Sequence, residues 1–395
     1  MKKSIYKKIF IYLGYVFNLL NHSSLKDKNI HPRNILLIRT HALGDVLLTT
    51  PAIRAVRQQF PDAVLSILIS EGAKSVVLNN PNIDRIISFP DSLLVKPEPL
   101  TLLRLVTKLR KEKYDCVISL SRSAPVHFLA FLTGSPLRVG LDFNGSGFSL
   151  SLKVPDKKSN VAYSEQHAVR DYLDIVAALG VNERGEDIDF YLHPKGVDIV
   201  NKFLNQLGVS SEDLLIGIFP GGGKNIAETI DAKRWPVVNY AKLADLLIRE
   251  LGAKVLLLGG KQDVEAVSEM QYNMKEKAIN ACNIGDLNTF GHLLRYCSLL
   301  ITNDSLPLHL GLSLKIPVIA LFGPTNAKAL IPSNYEKLIT IQSTLECSPC
   351  YWKERFPGCK KYNSPKCMNA ISVSDVLSAT KRILKNVSGI KYVNY

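Results

Sequence analysis

Residues 35–60 read ILLIRTHALGDVLLTTPAIRAVRQQF, and the fold turns on how this stretch is read. The apolar run Ile35-Leu36-Leu37-Ile38 has the length of a buried strand. A polar corner follows, Arg39-Thr40-His41-Ala42-Leu43-Gly44. Asp45 then opens a segment with apolar residues at Val46, Leu47, Pro51, Ile53 and Val56, which predicts a helix with Arg54 and Arg57 outward. Asp45 therefore falls where a strand runs into a helix. In an open parallel sheet that edge is where ligands bind, and a helix N-terminus favours a carboxylate. On geometry alone Asp45 is equally well read as a helix cap.

A second stretch has the same form. Residues 299–325 read LLITNDSLPLHLGLSLKIPVIALFGPT. A strand over 299–302 runs into Asn303-Asp304-Ser305, a short helix carries His309, and a buried strand over 317–322 ends in Gly323-Pro324-Thr325. Between the two stretches strand and helix alternate, which implies parallel sheets with helices on both faces. Strands are expected at 64–69, 85–89, 116–120 and 137–140, and helices at 71–79, 100–111, 124–133 and 163–179. The helix at 100–111 is basic and amphipathic. The helix at 163–179 would hold Glu165, His167 and Arg170. The rhythm breaks over the polar residues 181–194 and restarts with a helix at 198–207 and a strand at 214–219, followed by Pro220-Gly221-Gly222-Gly223-Lys224. Helices at 237–251, 263–275 and 287–297 and a strand at 254–258 complete a second half.

The 395 residues suit two domains, and 46% hydrophobic with 21% charged residues is ordinary for a soluble α/β enzyme. The net charge is +14, from 49 Lys and Arg against 35 Asp and Glu. That balance suits an anionic partner. No DNA- or RNA-binding signature is present, so nucleic acid is not expected. Neither half has G-x-G-x-x-G at its first βα turn, which argues against a nicotinamide-dependent oxidoreductase. Gly221, Gly222 and Gly223 permit close backbone approach after a strand, but the Walker spacing is absent.

The two corners together resemble glycosyltransferase family 9, the heptosyltransferase-like enzymes of lipopolysaccharide core assembly. That family carries R-x-x-x-x-G-D near the N-terminus, here Arg39, Gly44 and Asp45. It carries D-S-G-P-x-H followed by G-P-T near the C-terminus, here Asp304, Ser305, Pro307 and His309, then Gly323-Pro324-Thr325. Leu306 stands where the family has Gly. The resemblance covers roughly residues 34–384. It implies a GT-B fold, two Rossmann-like doubly wound domains facing each other across a cleft, with the last helix (372–384) crossing back onto the first domain. The parts expected are a basic amphipathic N-terminal segment (1–30), an acceptor domain (31–190), a nucleotide-sugar domain (195–345), a Cys-rich loop (346–370) and a C-terminal helix and tail (371–395).

The resemblance also implies roles. Asp45 would be the base that deprotonates the acceptor hydroxyl in an inverting transfer. Asp304 would bind the donor sugar's hydroxyls, and Ser305 and His309 would lie on the donor side, His309 facing the diphosphate. A Lys before Trp-Pro would contact the donor phosphate; Lys233 fits, and the adjoining Arg234 leaves the assignment open by one residue. Gly221 and Gly222 are further candidates for the cradle, and Arg39 and Arg122 for the acceptor side. Catalysis would need no metal cofactor. The donor would be a nucleotide sugar, ADP-heptose first among them. The acceptor would be a lipid-linked glycan. A non-catalytic sugar-nucleotide binder stays open because of Leu306, which could narrow the sugar pocket.

Two features fall outside the corners. Cys347, Cys350, Cys359 and Cys367 form C-x2-C-x8-C-x7-C, which reads as a structural zinc site, as reduced thiols or as two disulfides. Residues 1–20 place Lys2, Lys3, Lys7 and Lys8 before an apolar run at 9–20 that is too short to span a bilayer. A basic helix lying on an anionic membrane surface is the preferred reading, against a helix packed on its own domain or an uncleaved anchor. The expected place is the cytoplasm, peripheral on the inner face of the cytoplasmic membrane.

Overall fold

The computed structural model describes residues 31–156, 167–182, 185–223, 230–332, 335–351, 359 and 365–387. The N-terminal basic segment (1–30), Glu165 and Lys224 lie outside the described residues. The chain divides into two compact units, Met1–Ile188 and Asp189–Tyr395.

The first unit runs β1 (Asn34–Ile38), α1 (Leu43–Leu47), α2 (Thr50–Gln59), β2 (Val64–Ser70), β3 (Arg85–Phe89), α3 (Ser92–Val95), α4 (Pro99–Lys111), β4 (Cys116–Ser119), α5 (Ala124–Leu132), β5 (Leu137–Asp142), β6 (Leu152–Pro155) and α6 (Ala168–Ala177). Its sheet has the order β3-β2-β1-β4-β5-β6 with parallel pairing throughout. β1 is central, and Ile35 to Ile38 have no exposed surface. Strands buried on both faces read as unbroken apolar runs, which is why β1 was plain in the sequence.

The second unit runs α7 (Gly196–Gln206), β7 (Leu215–Phe219), α8 (Val237–Leu251), β8 (Lys254–Gly259), α9 (Val264–Asn273), β9 (Ile279–Cys282), α10 (Leu287–Tyr296), β10 (Leu299–Asn303), α11 (Leu306–Ser313), β11 (Val318–Phe322), α12 (Ala327–Leu330), β12 (Leu338–Gln342), α13 (Lys366–Asn369) and α14 (Val373–Val387). Its sheet, β12-β11-β10-β7-β8-β9, is again parallel. Counted within each unit, both sheets have the strand order 3-2-1-4-5-6 of the doubly wound fold. Ligands in such sheets bind beyond the strand C-termini where the order reverses. In the first unit that point lies between β1 and β4, in the second between β7 and β10.

Three departures from the sequence reading stand out. The helix expected to begin at Asp45 begins at Leu43, and it breaks before α2, whose first turn contains Pro51. The helix placed at 163–179 is described only as Ala168–Ala177, with His167 just before it. The last helix, α14, belongs to the second unit. Val376, Ala379 and Ile383 on its apolar side join the core formed by β7, α8 and β10, which corrects the expectation that it crosses to the first domain.

Candidate active site

In the first unit, Arg39 leaves the end of β1 and is anchored on both sides of the switch point. Its Nη1 donates to the Leu120 carbonyl just past β4 at 3.0 Å, and its Nη2 donates to Asp45 Oδ2 at 2.6 Å. The guanidinium carbon lies 5.8 Å from the centre of the Tyr172 ring, within cation–π range. Arg39 is buried, whereas the Asp45 side chain is 41% exposed. The N-terminus of α1 has no side-chain cap. The Asp45 carboxylate is therefore turned to Arg39 rather than to the helix amides, and the capping reading loses its support. A carboxylate held by one oxygen and open on the other side has the geometry a general base needs.

Arg122, past the end of β4, lies between two acids. Its Nη2 pairs with Asp171 and its Nε lies 3.4 Å from Asp156, and both acids are nearly buried. Its charge, like that of the more deeply buried Arg39, is thus answered inside the unit.

The second unit builds its corner from β7, β10 and β11. Lys233 Nζ donates to Asp304 Oδ2 at 2.7 Å. Arg234 turns the other way, its Nε donating to the Gly222 carbonyl and its Nη1 pairing with Asp231. The geometry thus separates the two adjoining cations, and Lys233 is the one at the corner. Burial pushes the Asp304 carboxyl up, but Lys233, His309 and the Thr325 hydroxyl outweigh it and hold it below the usual carboxylate range. An ammonium has three N–H donors. With one on Asp304, two remain for phosphate oxygens.

Gly222 has φ +92, and a Cβ there would stand 2.7 Å from the Ser305 Cβ, so the glycine is required where β7 and β10 end side by side. The space beside Gly221 is filled by Asp263, which accepts the Gly222 amide at 3.0 Å. The glycines therefore close the corner, and the Gly222 amide is already engaged. Ser305 opens α11, whose N-terminus has no side-chain cap, and buried His309 lies in its second turn.

Sequence reasoning passed over two residues at this corner. Asn303 accepts from the Trp235 amide at 3.0 Å and from the Tyr240 hydroxyl at 2.9 Å, and donates to the Gly221 carbonyl at 3.1 Å. It locks the ends of β7 and β10 to the start of α8. Its signal was a polar residue closing an apolar strand. Tyr351 lies with its ring centre 4.9 Å from Lys233 Nζ. It sits in the Cys-rich segment, where the Tyr351 and Cys350 amides both donate to the Pro324 carbonyl. No sequence pattern pointed to it.

The four cysteines of that segment influence one another. Burial, with the neighbouring thiols, pushes Cys350 up and Cys367 up to about 11. Among the described residues no disulfide joins them, and no three His, Cys, Asp or Glu side chains stand so that they could hold a metal ion. Among the described residues, as placed, the thiols form no zinc ligand set. What the segment does is anchor the Gly323-Pro324-Thr325 turn: the Ser348 hydroxyl donates to the Gly323 carbonyl, and Cys367 packs against Gly323.

The model of glycosyltransferase family 9 (heptosyltransferase) matches residues 102–360, well over half of the chain. The chain belongs to glycosyltransferase family 9. The resemblance and the transferase activity expected from the two corners therefore stand. Among its family 9 relatives, lipooligosaccharide heptosyltransferase 2 of Campylobacter jejuni is 26% identical over 350 residues, 87% of this chain and 96% of its own. A family 9 glycosyl transferase structure from Veillonella parvula superposes with a TM-score of 0.77 at 25% identity, over 92% of this chain and 100% of its own. The Escherichia coli ADP-heptose lipopolysaccharide heptosyltransferase II has a TM-score of 0.68 at 22% identity, over 90% and 99%, and supports the fold alone. With these neighbours the two doubly wound units are those of a GT-B transferase.

Proposed function

We propose that this family 9 enzyme is an inverting heptosyltransferase that moves a heptose from ADP-heptose onto a lipopolysaccharide core or a related lipid-linked glycan. The observation that carries the proposal is the pair of corners at the two switch points. One presents a carboxylate to solvent, and the other presents an ammonium. Asp45 takes the proton from the acceptor hydroxyl as that oxygen attacks the anomeric carbon. Arg39 keeps the carboxylate oriented. On the donor side Lys233, with amides at the start of α11, takes up the charge that develops on the leaving diphosphate. His309 lies beside them, and Asp304 holds Lys233 and offers its remaining lone pairs to sugar hydroxyls. Preorganised charge carries the reaction. The name of the Campylobacter jejuni relative supports the choice of heptose and acceptor.

The enzyme works at the inner face of the cytoplasmic membrane, where a lipid-linked acceptor is presented. Among the described residues no helix is long and apolar enough to cross a membrane. The +14 charge favours an anionic surface.

Titration with a panel of nucleotide sugars, followed by transfer to lipid-extracted acceptor, tests the reading. Binding of ADP-heptose above UDP-sugars, with heptose appearing in the lipid fraction, is expected. Binding without transfer or donor hydrolysis would move the chain to the non-catalytic sugar-nucleotide binders that Leu306 keeps open. Transfer of a different sugar would replace the donor.

A further inference from the structure

Helix α4 has two faces of opposite character. Leu105 and Leu109 are buried in the core of the first unit with Leu36, Ile38 and Val117. The other face carries Leu100, Leu103, Arg104, Thr107, Lys108 and Lys111. The spacing i, i+3, i+4, i+7, i+8, i+11 places them on one stripe. Leu100 is 66% exposed and Leu103 61%, and Val95, at the end of the preceding α3, is 66% exposed. Three large aliphatic side chains thus stand in water along residues 95–103. Exposed apolar groups gathered and rimmed by charge mark an interaction surface.

The rim is basic. Residues 95–113 hold six Lys or Arg against Glu98 and Glu112. Both acids are engaged: Glu98 accepts the Thr101 hydroxyl at 2.6 Å, and Glu112 pairs with Arg85 at 3.2 Å. Among the described residues, Lys96, Arg104, Lys108 and Lys111 have no ion-pair partner. Nucleic acid is a poor match, because single strands are gripped by aromatic stacking and this stripe is aliphatic. A bilayer matches both parts: aliphatic tips enter the headgroup boundary while Lys and Arg stay at the level of the lipid phosphates.

We propose that the α3–α4 corner is a docking surface for an anionic lipid bilayer, with Val95, Leu100 and Leu103 entering it and Lys96, Arg104, Lys108 and Lys111 meeting its phosphates. The surface is separate from residues 1–30 and from the donor corner. Its failure would leave the transferase reading untouched, since donor binding is measured without membranes.

The test is flotation of the full chain with vesicles of phosphatidylethanolamine and phosphatidylglycerol, in a background where Lys2, Lys3, Lys7 and Lys8 are changed to Gln so that the N-terminus does not mask the result. Leu100→Ser with Leu103→Ser should lower vesicle partition by about tenfold, as expected for two aliphatic tips leaving the bilayer. Arg104→Gln, Lys108→Gln and Lys111→Gln together should lower it by about a hundredfold and flatten its salt dependence. Hydrogen exchange over residues 92–104 should slow on these vesicles. ADP affinity, unchanged in every variant, reports that the protein is folded. Partition unaffected by both sets overturns the proposal. So does equal binding to phosphatidylcholine vesicles. So does a change in oligomeric state with unchanged partition, which would make the stripe a face between copies of the chain.

Discussion

At the switch point of the first unit, the cation of the Arg39–Asp45 pair is buried and the acid faces out, their side chains 7% and 41% exposed. At the switch point of the second, the acid of the Lys233–Asp304 pair is the sealed member, 5% exposed against 17% for the lysine. The same kind of ion pair at the same place in the same sheet order is thus turned inside out. The partner that faces outward sets what each corner can do. An outward carboxylate can accept a proton. An outward ammonium can accept a phosphate. The buried partner in each case fixes the position of the exposed one.

The sharpest way to break this contrast is Asp45→Asn. The amide keeps the shape but cannot act as a base, and turnover should fall by about 10²–10⁴-fold. ADP affinity should stay as it was, because the change lies outside the donor corner. Near-normal turnover would make the Arg39–Asp45 pair a structural tie.

Lys233→Ala tests the inverse arrangement. It removes the cation and leaves the Asp304 carboxylate buried, which costs about 3 kcal/mol of stability. ADP affinity should drop as well. The pH dependence carries a sign. In the native protein the Asp304 carboxyl is held low, so its contribution is present above the usual carboxylate range and is lost as pH falls through its folded value. Without Lys233 burial dominates and raises it, so protonation relieves the variant. The gap in Tm between the two proteins should therefore narrow from pH 7 to pH 4. A gap that widens on acidification would mean that Asp304 is not the charge Lys233 answers.

The strands missed in the sequence say where its legibility ends. β6, β9 and β12 are all at sheet edges, with one neighbour each and mixed burial. LKVP, INAC and LITIQ lack the unbroken apolar run that marked β1, β7, β10 and β11. Both corners were visible because a polar residue closing such a run is conspicuous. Their support was not. Tyr172 reaches Arg39, Asp263 reaches Gly222 and Tyr351 reaches Lys233 across long stretches of chain, and such contacts are set by how strand ends come together rather than by spacing. The cysteine spacing left zinc, reduced thiols and disulfides open, and nothing in it showed that the segment is tied to the turn after β11.

That tie yields the smallest and most specific expectation. The Pro324 carbonyl takes the amides of Cys350 and Tyr351 at 2.8 and 2.7 Å, and Gln342 secures the neighbouring Gly323 and Thr325 carbonyls at 3.1 Å. Tyr351 is thereby held against Lys233 by backbone bonds that do not involve its own ring. The ring face attracts the ammonium and helps keep it directed where Asp304 leaves donors free. A contact of this kind contributes about 1 kcal/mol. Tyr351→Leu should accordingly weaken ADP binding by about fivefold. The backbone anchoring persists, so Tm should hardly move. Tyr351→Phe retains the ring and should bind ADP as the native protein does. If Phe binds as weakly as Leu, the phenolic hydroxyl and not the ring face is what matters. If neither change alters ADP affinity, Lys233 is positioned by Asp304 alone, and the Cys-rich segment serves only to hold the turn.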